Sequence, residues 1–208
     1  MGYVKNNDKY ENAAIKSSSE LKKVLRTERT AYSSYAFPSK IKALVAFFKG
    51  DVIYQIAQWQ KYSRISDFHD YRYHKTKSIV SAFLFLYYTM RRNKIALKLG
   101  LELSTGNIGC GLLVYHQNVV VNSNAIIGEN LHLHGTNVIG NIGPEDPYGC
   151  PVIGDNVMFG AGAKALGRIQ IANNVKIAAG AVVVKDVLEE GCTVAGVPAK
   201  IIKHGKSE

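Results

Sequence analysis

The sequence predicts a mainly β protein in which a β-solenoid follows an N-terminal α-helical domain. Three observations carry the prediction: a six-residue repeat in the second half, turn residues between the repeats, and helical spacing of apolar residues in the first half. A fixed short period is the signature of a stacked solenoid. A β-sandwich is the alternative, but it needs turns only every ~8–12 residues, so a period of six favours the solenoid.

The repeat runs from Ile108 to Leu188. Most blocks open on an aliphatic residue, and the openers are Ile108, Val114, Val121, Ile127, Leu133, Ile139, Ile153, Phe159, Ala165, Ile171, Ile177 and Val183. A second inward position follows four places later, at Ala125, Leu131, Val157, Ala163, Ile169, Val175, Ala181 and Val187. Gly, Asn and Asp lie between these positions, as a chain that turns every six residues requires. Three blocks would make one triangular coil.

The register of the repeat breaks twice, and breaks in a repeat protein are common sites of function. One extra residue lies between Val114 and Val121, in a bulged block that contains His116. A second insertion lies between Ile139 and Ile153, and its prolines and glycines predict a loop over residues 140–152.

The first half of the chain differs in charge and in periodicity. Residues 1–104 contain 19 Lys and Arg against 8 Asp and Glu, whereas residues 105–208 contain 7 against 8. Apolar residues from Ser39 to about Leu99 have helical spacing, which predicts three to four helices that end near Gly100. We therefore expect a basic, aromatic-rich helical domain over 1–104, a β-helix domain over 105–191 and a C-terminal tail over 192–208.

The apolar run Ile79–Met90 has twelve residues and basic flanks. It is too short for a transmembrane helix, which needs about 20 residues. It is either a buried helix or a helix on a membrane surface. The first residues show no signal-peptide pattern, and the unpaired spacing of Cys110, Cys150 and Cys192 favours free thiols. We expect a cytoplasmic protein, and the membrane-surface interpretation of this helix would place it at the inner membrane surface.

Three stretches resemble the hexapeptide-repeat acyltransferases: Ile108–His116, Pro151–Lys164 and Val194–Ile202. The resemblance points to the serine acetyltransferase branch, which includes capsule and exopolysaccharide O-acetyltransferases. It implies a left-handed parallel β-helix, a homotrimer with a possible dimer of trimers, and acetyl-CoA in the groove between neighbouring subunits. It implies no metal. The left-handed sense follows from the resemblance alone, since crossover rules favour the right-handed form.

Acetyl transfer to an alcohol needs a base close to the hydroxyl. The imidazole of histidine suits this role, with an ordinary pKa near 6.5. His116 resembles the catalytic histidine of the family, and Glu102 resembles the carboxylate that orients it if one residue is deleted before Ile108. An exposed glutamate without a catalytic role is the alternative for Glu102.

Small residues point to the cofactor site. The pairs Ala161–Gly162 and Ala179–Gly180 are eighteen residues, or one coil, apart, and would leave room for a pantetheine arm to approach the backbone. Both pairs match the CoA contacts of the family. Lys185 and Lys200 could meet the phosphates of the cofactor, or could be solvated surface lysines.

The acceptor is predicted from positions at which this sequence departs from the serine acetyltransferases. Tyr115, Gly149 and Cys150 stand where serine acetyltransferases have an aspartate and an Arg-His pair, so a charged amino acid would lose its partners, at a cost of several kcal/mol. The sequence therefore predicts a sugar acceptor from a capsule or exopolysaccharide unit, which would contact Tyr115, Tyr148, Cys150 and His134. Serine O-acetylation for cysteine biosynthesis is the alternative.

Two other classes remain as rivals. Because some trimeric β-helices hold zinc with three histidines, His116, His132 and His134 suggest a zinc hydratase. The basic charge suggests a scaffold or a nucleic-acid binder, but the sequence has no motif of the known nucleic-acid modules, and no nucleic-acid partner is expected.

Overall fold

The computed structural model describes residues 15–205, which form four helices followed by fourteen strands. Residues 1–14 of the predicted helical domain and 206–208 of the predicted tail lie outside the described range. The helices are α1 (Ser18–Tyr35), α2 (Lys40–Lys49), α3 (Val52–Thr76) and α4 (Ile79–Leu99).

The helix ends follow from local chemistry. A capping box begins α1, in which the Glu20 N–H donates to Ser17 Oγ (3.1 Å) and the Ser17 N–H donates to the Glu20 carboxylate (2.9 Å). Gly100 ends α4 in the left-handed conformation with φ 62°, as the sequence predicted.

The strands are short and wind into a left-handed parallel β-helix with three faces. They are β1 (Leu101–Leu103), β2 (Leu113–Val114), β3 (Val119–Val121), β4 (Ile126–Ile127), β5 (His132–Leu133), β6 (Val138–Gly140), β7 (Val152–Ile153), β8 (Met158–Phe159), β9 (Lys164–Leu166), β10 (Gln170–Ile171), β11 (Lys176–Ile177), β12 (Val182–Val183), β13 (Thr193–Gly196) and β14 (Ala199–Lys203). Face A is the sheet β1-β3-β6-β9-β12, face B is β4-β7-β10, and face C is β2-β5-β8-β11-β13-β14.

The core of the prism contains the residues that the six-residue period placed inside. All twelve block openers and all eight second inward positions are buried and belong to one hydrophobic cluster. Asn130, Asn156 and Asn174 take left-handed φ values of 56–61° at the edge between faces B and C, where their turns let the chain change direction. The predicted fold class is confirmed.

The helices cover the open end of the prism at its first coil. Ile56 and Trp59 of α3 belong to the same hydrophobic cluster as the β-helix core. The buried hydroxyl of Tyr32 donates to Gln60 Oε1 (2.9 Å) and accepts from the Val114 N–H (3.1 Å). A β-helix end would otherwise expose apolar core and unpaired backbone groups, so the helices also serve as a cap.

Arg64 of α3 is fully buried at this junction. Its guanidinium donates to the Glu28 carboxylate (2.7 and 3.1 Å) and to the carbonyls of Thr105 (2.7 Å), Ile108 (2.7 Å) and Gly109 (2.6 Å). The side chain therefore uses all five of its N–H donors to join α1, α3 and the entry to the first coil.

Three strands lie beyond the predicted β-helix limits of 105–191. β1 begins at Leu101 and pairs with β3, so face A starts before residue 105. β13 pairs in parallel with β11, and β14 returns antiparallel to β13. The chain beyond residue 191 thus continues face C as far as Lys203.

The apolar run in α4 is not buried. Ile79 (84 %), Phe83 (70 %) and Met90 (65 %) are largely exposed, so the buried-helix interpretation is wrong for this face. Within residues 15–205, no helix combines the length and apolar character that crossing a bilayer needs. A membrane-surface role for α4 stays a prediction.

Candidate active site

One edge of the prism, between faces C and A, brings together most of the predicted site residues. We call it the CA edge; its turns are residues 115–118, 134–137, 160–163 and 178–181, and the turn between β13 and β14 at residues 197–198 lies at its far end. The Gly162 N–H donates to the Gly135 carbonyl and the Gly180 N–H to the Ala161 carbonyl, both at 2.9 Å. Successive turns are therefore stacked along this edge.

His116 lies in the first turn of the CA edge and is exposed. Val114 pairs with Leu133, nineteen residues later, whereas Val120 pairs with Val138, eighteen residues later. The extra residue is thus absorbed in the turn that contains His116, where Asn118 has a left-handed φ of 59°. The bulge turns the imidazole outward at the edge rather than into the core.

Gly135 supports this turn from the next coil, and sequence reasoning missed it. A Cβ at Gly135 would lie 2.5 Å from His116 Cβ, and the residue has φ +100°, so no other residue type fits there without a shift. Asn137 was also missed. It is fully buried, accepts from the Gly135 N–H (2.9 Å) and donates to the Gly160 carbonyl (2.8 Å), which ties two adjacent turns together. The one-coil spacing from His116 was the available signal for Gly135.

The small-residue pairs lie further along the CA edge. A Cβ added at Gly180 would meet no protein atom within 4 Å, and one at Gly162 would meet only the Gly180 backbone at 3.9 Å. The backbone along these turns is therefore open to a ligand. The structure places the Ala161–Gly162 and Ala179–Gly180 pairs on the same edge as His116.

The two lysines predicted to bind the cofactor phosphates lie on different edges of the prism. Lys200 pairs with Ala195 on β13, at the end of the CA edge farthest from His116. Five strand steps of about 4.8 Å separate β2, which precedes His116, from β14, which contains Lys200, or ~24 Å, a distance on the scale of an extended cofactor. Lys185 follows β12 in the turn between faces A and B, so within one chain it is not on the CA edge.

Three aromatic rings surround Tyr115. Its ring stacks on that of His134, with centroids 4.4 Å apart and planes at 20°, and Tyr35 packs edge-on at 4.8 Å. Its hydroxyl is 3.2 Å from His132 Nδ1. Burial, and then the neighbouring Tyr35, raises the pKa of Tyr115. Because its ring is already stacked, Tyr115 does not offer the free flat surface that sugar binding would use.

His132 and His134 are both half-buried near His116. Burial is the main cause that lowers the pKa of each, followed by His134 for His132 and by His116 for His134. Both side chains therefore favour the neutral imidazole. Among residues 15–205 no group of three or more His, Cys, Asp or Glu side chains is placed to hold a metal ion.

The loop residues lie on a different edge. Tyr148 and Cys150 belong to the insertion between β6 of face A and β7 of face B. Tyr148 is 70 % exposed, but Cys150 is 6 % exposed and belongs to the core cluster, where burial raises the pKa of its thiol. Neither residue shares an edge with His116 in the single chain, so their role in acceptor binding stays a prediction, and the burial of Cys150 speaks against it.

Glu102 lies on face A, aligned with Val120. It is exposed, and the hydrogen bonds of the described residues include none between Glu102 and His116. Three residues lie between His116 and Val120, which is the position opposite Glu102, and one of them is the left-handed Asn118 of the turn. The orienting role of Glu102 stays a prediction that the single chain does not support by contact.

Part of the β-helix matches a family of transferases. The family model described as bacterial transferase hexapeptide (six repeats) matches residues 150–185. The predicted resemblance to the hexapeptide-repeat acyltransferases is confirmed over these residues.

The relatives are serine acetyltransferases. The chain is 39% identical over 105 residues to one from Synechococcus elongatus, a match that covers 50% of this chain and 43% of the relative. Two solved structures are also similar: serine acetyltransferase from Neisseria gonorrhoeae (TM-score 0.64, 26% identity, 92% of this chain and 69% of that chain) and that from Brucella abortus in complex with coenzyme A (TM-score 0.60, 27% identity, 92% and 71%). The chain spans about half the length of the curated relatives it matches.

These findings correct the predicted acceptor. The prediction of a sugar acceptor was wrong, because the similar proteins are serine acetyltransferases, and these comparisons give no support to the capsule or exopolysaccharide branch. Within the single chain, one face of the Tyr115 ring is already covered by His134 and is not available to stack on a sugar.

Proposed function

We propose that this protein transfers the acetyl group of acetyl-CoA to the hydroxyl of L-serine. The observation that carries the proposal is the CA edge, where an exposed imidazole and two open small-residue turns are stacked in one row. The serine acetyltransferases that the chain resembles supply the reaction and the acceptor.

In this proposal the pantetheine arm lies along the turns at Ala161–Gly162 and Ala179–Gly180, with the thioester close to His116. The nucleotide end extends towards β13 and β14, where Lys200 supplies a positive charge. The open space over Gly180 supports this path, since a side chain there would obstruct it.

The chemistry assigned to His116 is general base and then general acid. Its neutral imidazole takes the proton of the serine hydroxyl as that oxygen attacks the thioester carbonyl. The tetrahedral intermediate collapses with cleavage of the C–S bond, and the imidazolium returns the proton to the leaving sulfur. The products are O-acetylserine and coenzyme A.

We expect serine to bind more weakly to this protein than to the serine acetyltransferases that it resembles. Tyr115, Gly149 and Cys150 replace the charged residues that the family resemblance assigns to the amino acid, so its ammonium and carboxylate lose those partners. We expect a higher KM for serine than that of the Synechococcus elongatus relative under the same conditions, with the KM for acetyl-CoA similar in the two.

Thiol release from acetyl-CoA in the presence of L-serine tests the proposal, with mass spectrometry of the product. We expect His116→Ala to lower kcat by about 10²–10⁴-fold, the usual contribution of a general base. His204→Ala, at an exposed histidine that pairs with Glu189, is the matched control and should keep full activity. Serine-independent thiol release, or equal rates for both variants, would contradict the assignment.

A homotrimer belongs to the proposal, with acetyl-CoA between the CA edge of one subunit and its neighbour. Light scattering should give three times the chain mass of 22.8 kDa. We also propose a cytoplasmic location with peripheral contact to the inner membrane surface, supported by the exposed apolar face of α4 beside Arg91. Co-sedimentation with anionic vesicles that is lost in Phe83→Ser tests the contact.

A further inference from the structure

The helical domain contains a cavity of about 640 Å³ between α1, α2 and α3. Its walls are one face of α1 and one face of α3, with the first turn of α2 across one side. The turns of the CA edge do not line it. Ligand pockets commonly measure about 300–1,000 Å³, so the cavity is large enough for a small organic molecule.

The charge of the walls is strongly positive. Lys22, Arg26 and Arg29 of α1, Lys40 of α2 and Lys61 of α3 line the cavity, and none of them takes part in the ion pairs of the described residues. The one acidic residue of the lining is Glu28. Its carboxylate is 2.7 Å from the Arg64 guanidinium, so it does not neutralise the five cations.

The N-terminus of α2 adds to this positive potential. Ser39 caps the helix by accepting from the Lys42 N–H (3.2 Å), and Ser39, Lys40 and Ala43 line the cavity. The remaining N–H groups of the first turn and the helix dipole favour an anion at this end.

An aromatic wall completes the cavity. Phe37 and Tyr54 pack edge to face, with ring centroids 5.8 Å apart, and both line the same space. Rings beside clustered cations suit a ligand that has a flat apolar part and several phosphate oxygens. An inorganic anion would use the cations but leave the aromatic wall without a partner.

We propose that this cavity binds a phosphate ester of nucleotide size, at a site separate from the CA edge. The phosphates lie among the Arg and Lys side chains at the start of α2, and the ring packs on Tyr54 and Phe37. The inference does not depend on the acetyl transfer proposed above, because its readout is binding.

Calorimetric titration of the full chain with ATP at low salt tests the proposal. In Arg26→Gln/Lys61→Gln, which removes one cation from α1 and one from α3, we expect the Kd for ATP to rise by about tenfold for each lost charge-assisted contact. Lys23→Gln/Lys42→Gln is the matched control, since both lysines are exposed and lie outside the cavity lining. It should leave the Kd within about twofold once salt screening is matched.

Coenzyme A is itself a nucleotide ester, so the titration is repeated with saturating coenzyme A. Binding of ATP that persists beside coenzyme A and is lost in the cavity variant supports the proposal. ATP binding that coenzyme A abolishes, with no change in the cavity variant, would assign the nucleotide to the CA edge and overturn it. Absence of ATP binding at millimolar concentration would also overturn it.

Discussion

Replacing Arg64 tests whether one buried side chain holds the helices to the β-helix. Arg64→Met keeps an apolar stem but removes all five N–H donors. It leaves the buried Glu28 carboxylate without its cation and takes a donor from the carbonyls of Thr105, Ile108 and Gly109. Because Glu28 is only 4 % exposed, water cannot easily replace the lost partner.

The expected magnitude follows from these contacts. Breaking a buried ion pair by removing one partner costs about 3–5 kcal/mol, and each carbonyl that loses its donor adds up to about 1 kcal/mol. A loss of roughly 5 kcal/mol in the free energy of unfolding is a large share of the ~5–15 kcal/mol of a typical domain. With a urea slope of about 2 kcal/mol/M, the midpoint should fall by about 2–3 M.

Urea unfolding followed by tryptophan fluorescence measures this loss. Trp59 is the single tryptophan and is buried five residues before Arg64 on α3, so its signal reports on the same junction. Lys61→Met, at an exposed cation of the same helix, is the control and should change stability by less than about 0.5 kcal/mol. Arg64→Met/Glu28→Leu should recover part of the loss, because no unpaired charge then remains buried. An Arg64→Met midpoint equal to that of the wild type would refute the reasoning.

Two further predictions concern the CA edge. Gly135→Ala should lower the free energy of unfolding by at least about 1–2 kcal/mol for the left-handed φ alone, and it should reduce acetyl transfer because the new Cβ displaces His116. Gly143→Ala is the control, since its Cβ meets nothing within 4 Å. It should change neither the thermal unfolding nor the activity. Folding lowers the pKa values of His132 and His134 below the ordinary 6.5. Below pH 6.5 the unfolded chain therefore binds protons that the folded chain does not. The stability that these residues contribute above pH 6.5 is lost as the pH falls through their pKa values in the folded protein. The decline in Tm from pH 7 to pH 5 should therefore be shallower in His134→Gln, and an unchanged slope would contradict the assigned burial.

The predictions from sequence were most accurate where a repeat sets the structure. The spacing of residues such as Ile153 and Phe159 placed them in the core, and the one-coil spacing between Ala161 and Ala179 placed them on one edge. For Glu102 the basis was a resemblance across a gap, and its orienting role towards His116 stays a prediction, since the register of β1 places it opposite Val120. Prediction failed for the sugar acceptor, since nothing in a linear pattern shows that the ring of Tyr115 is already stacked.

The sequence by itself determined the coil, because a period of six with inward aliphatic residues can bury its apolar side chains only by stacking turns of the same size. Its one-residue break marked the turn of His116 in advance. Only the tertiary structure decided what lies beside that turn, how Arg64 joins the helices to the first coil, and that three helices line a basic cavity open to solvent. Those contacts join residues far apart in the chain, and their formation depends on packing geometry that local spacing does not encode.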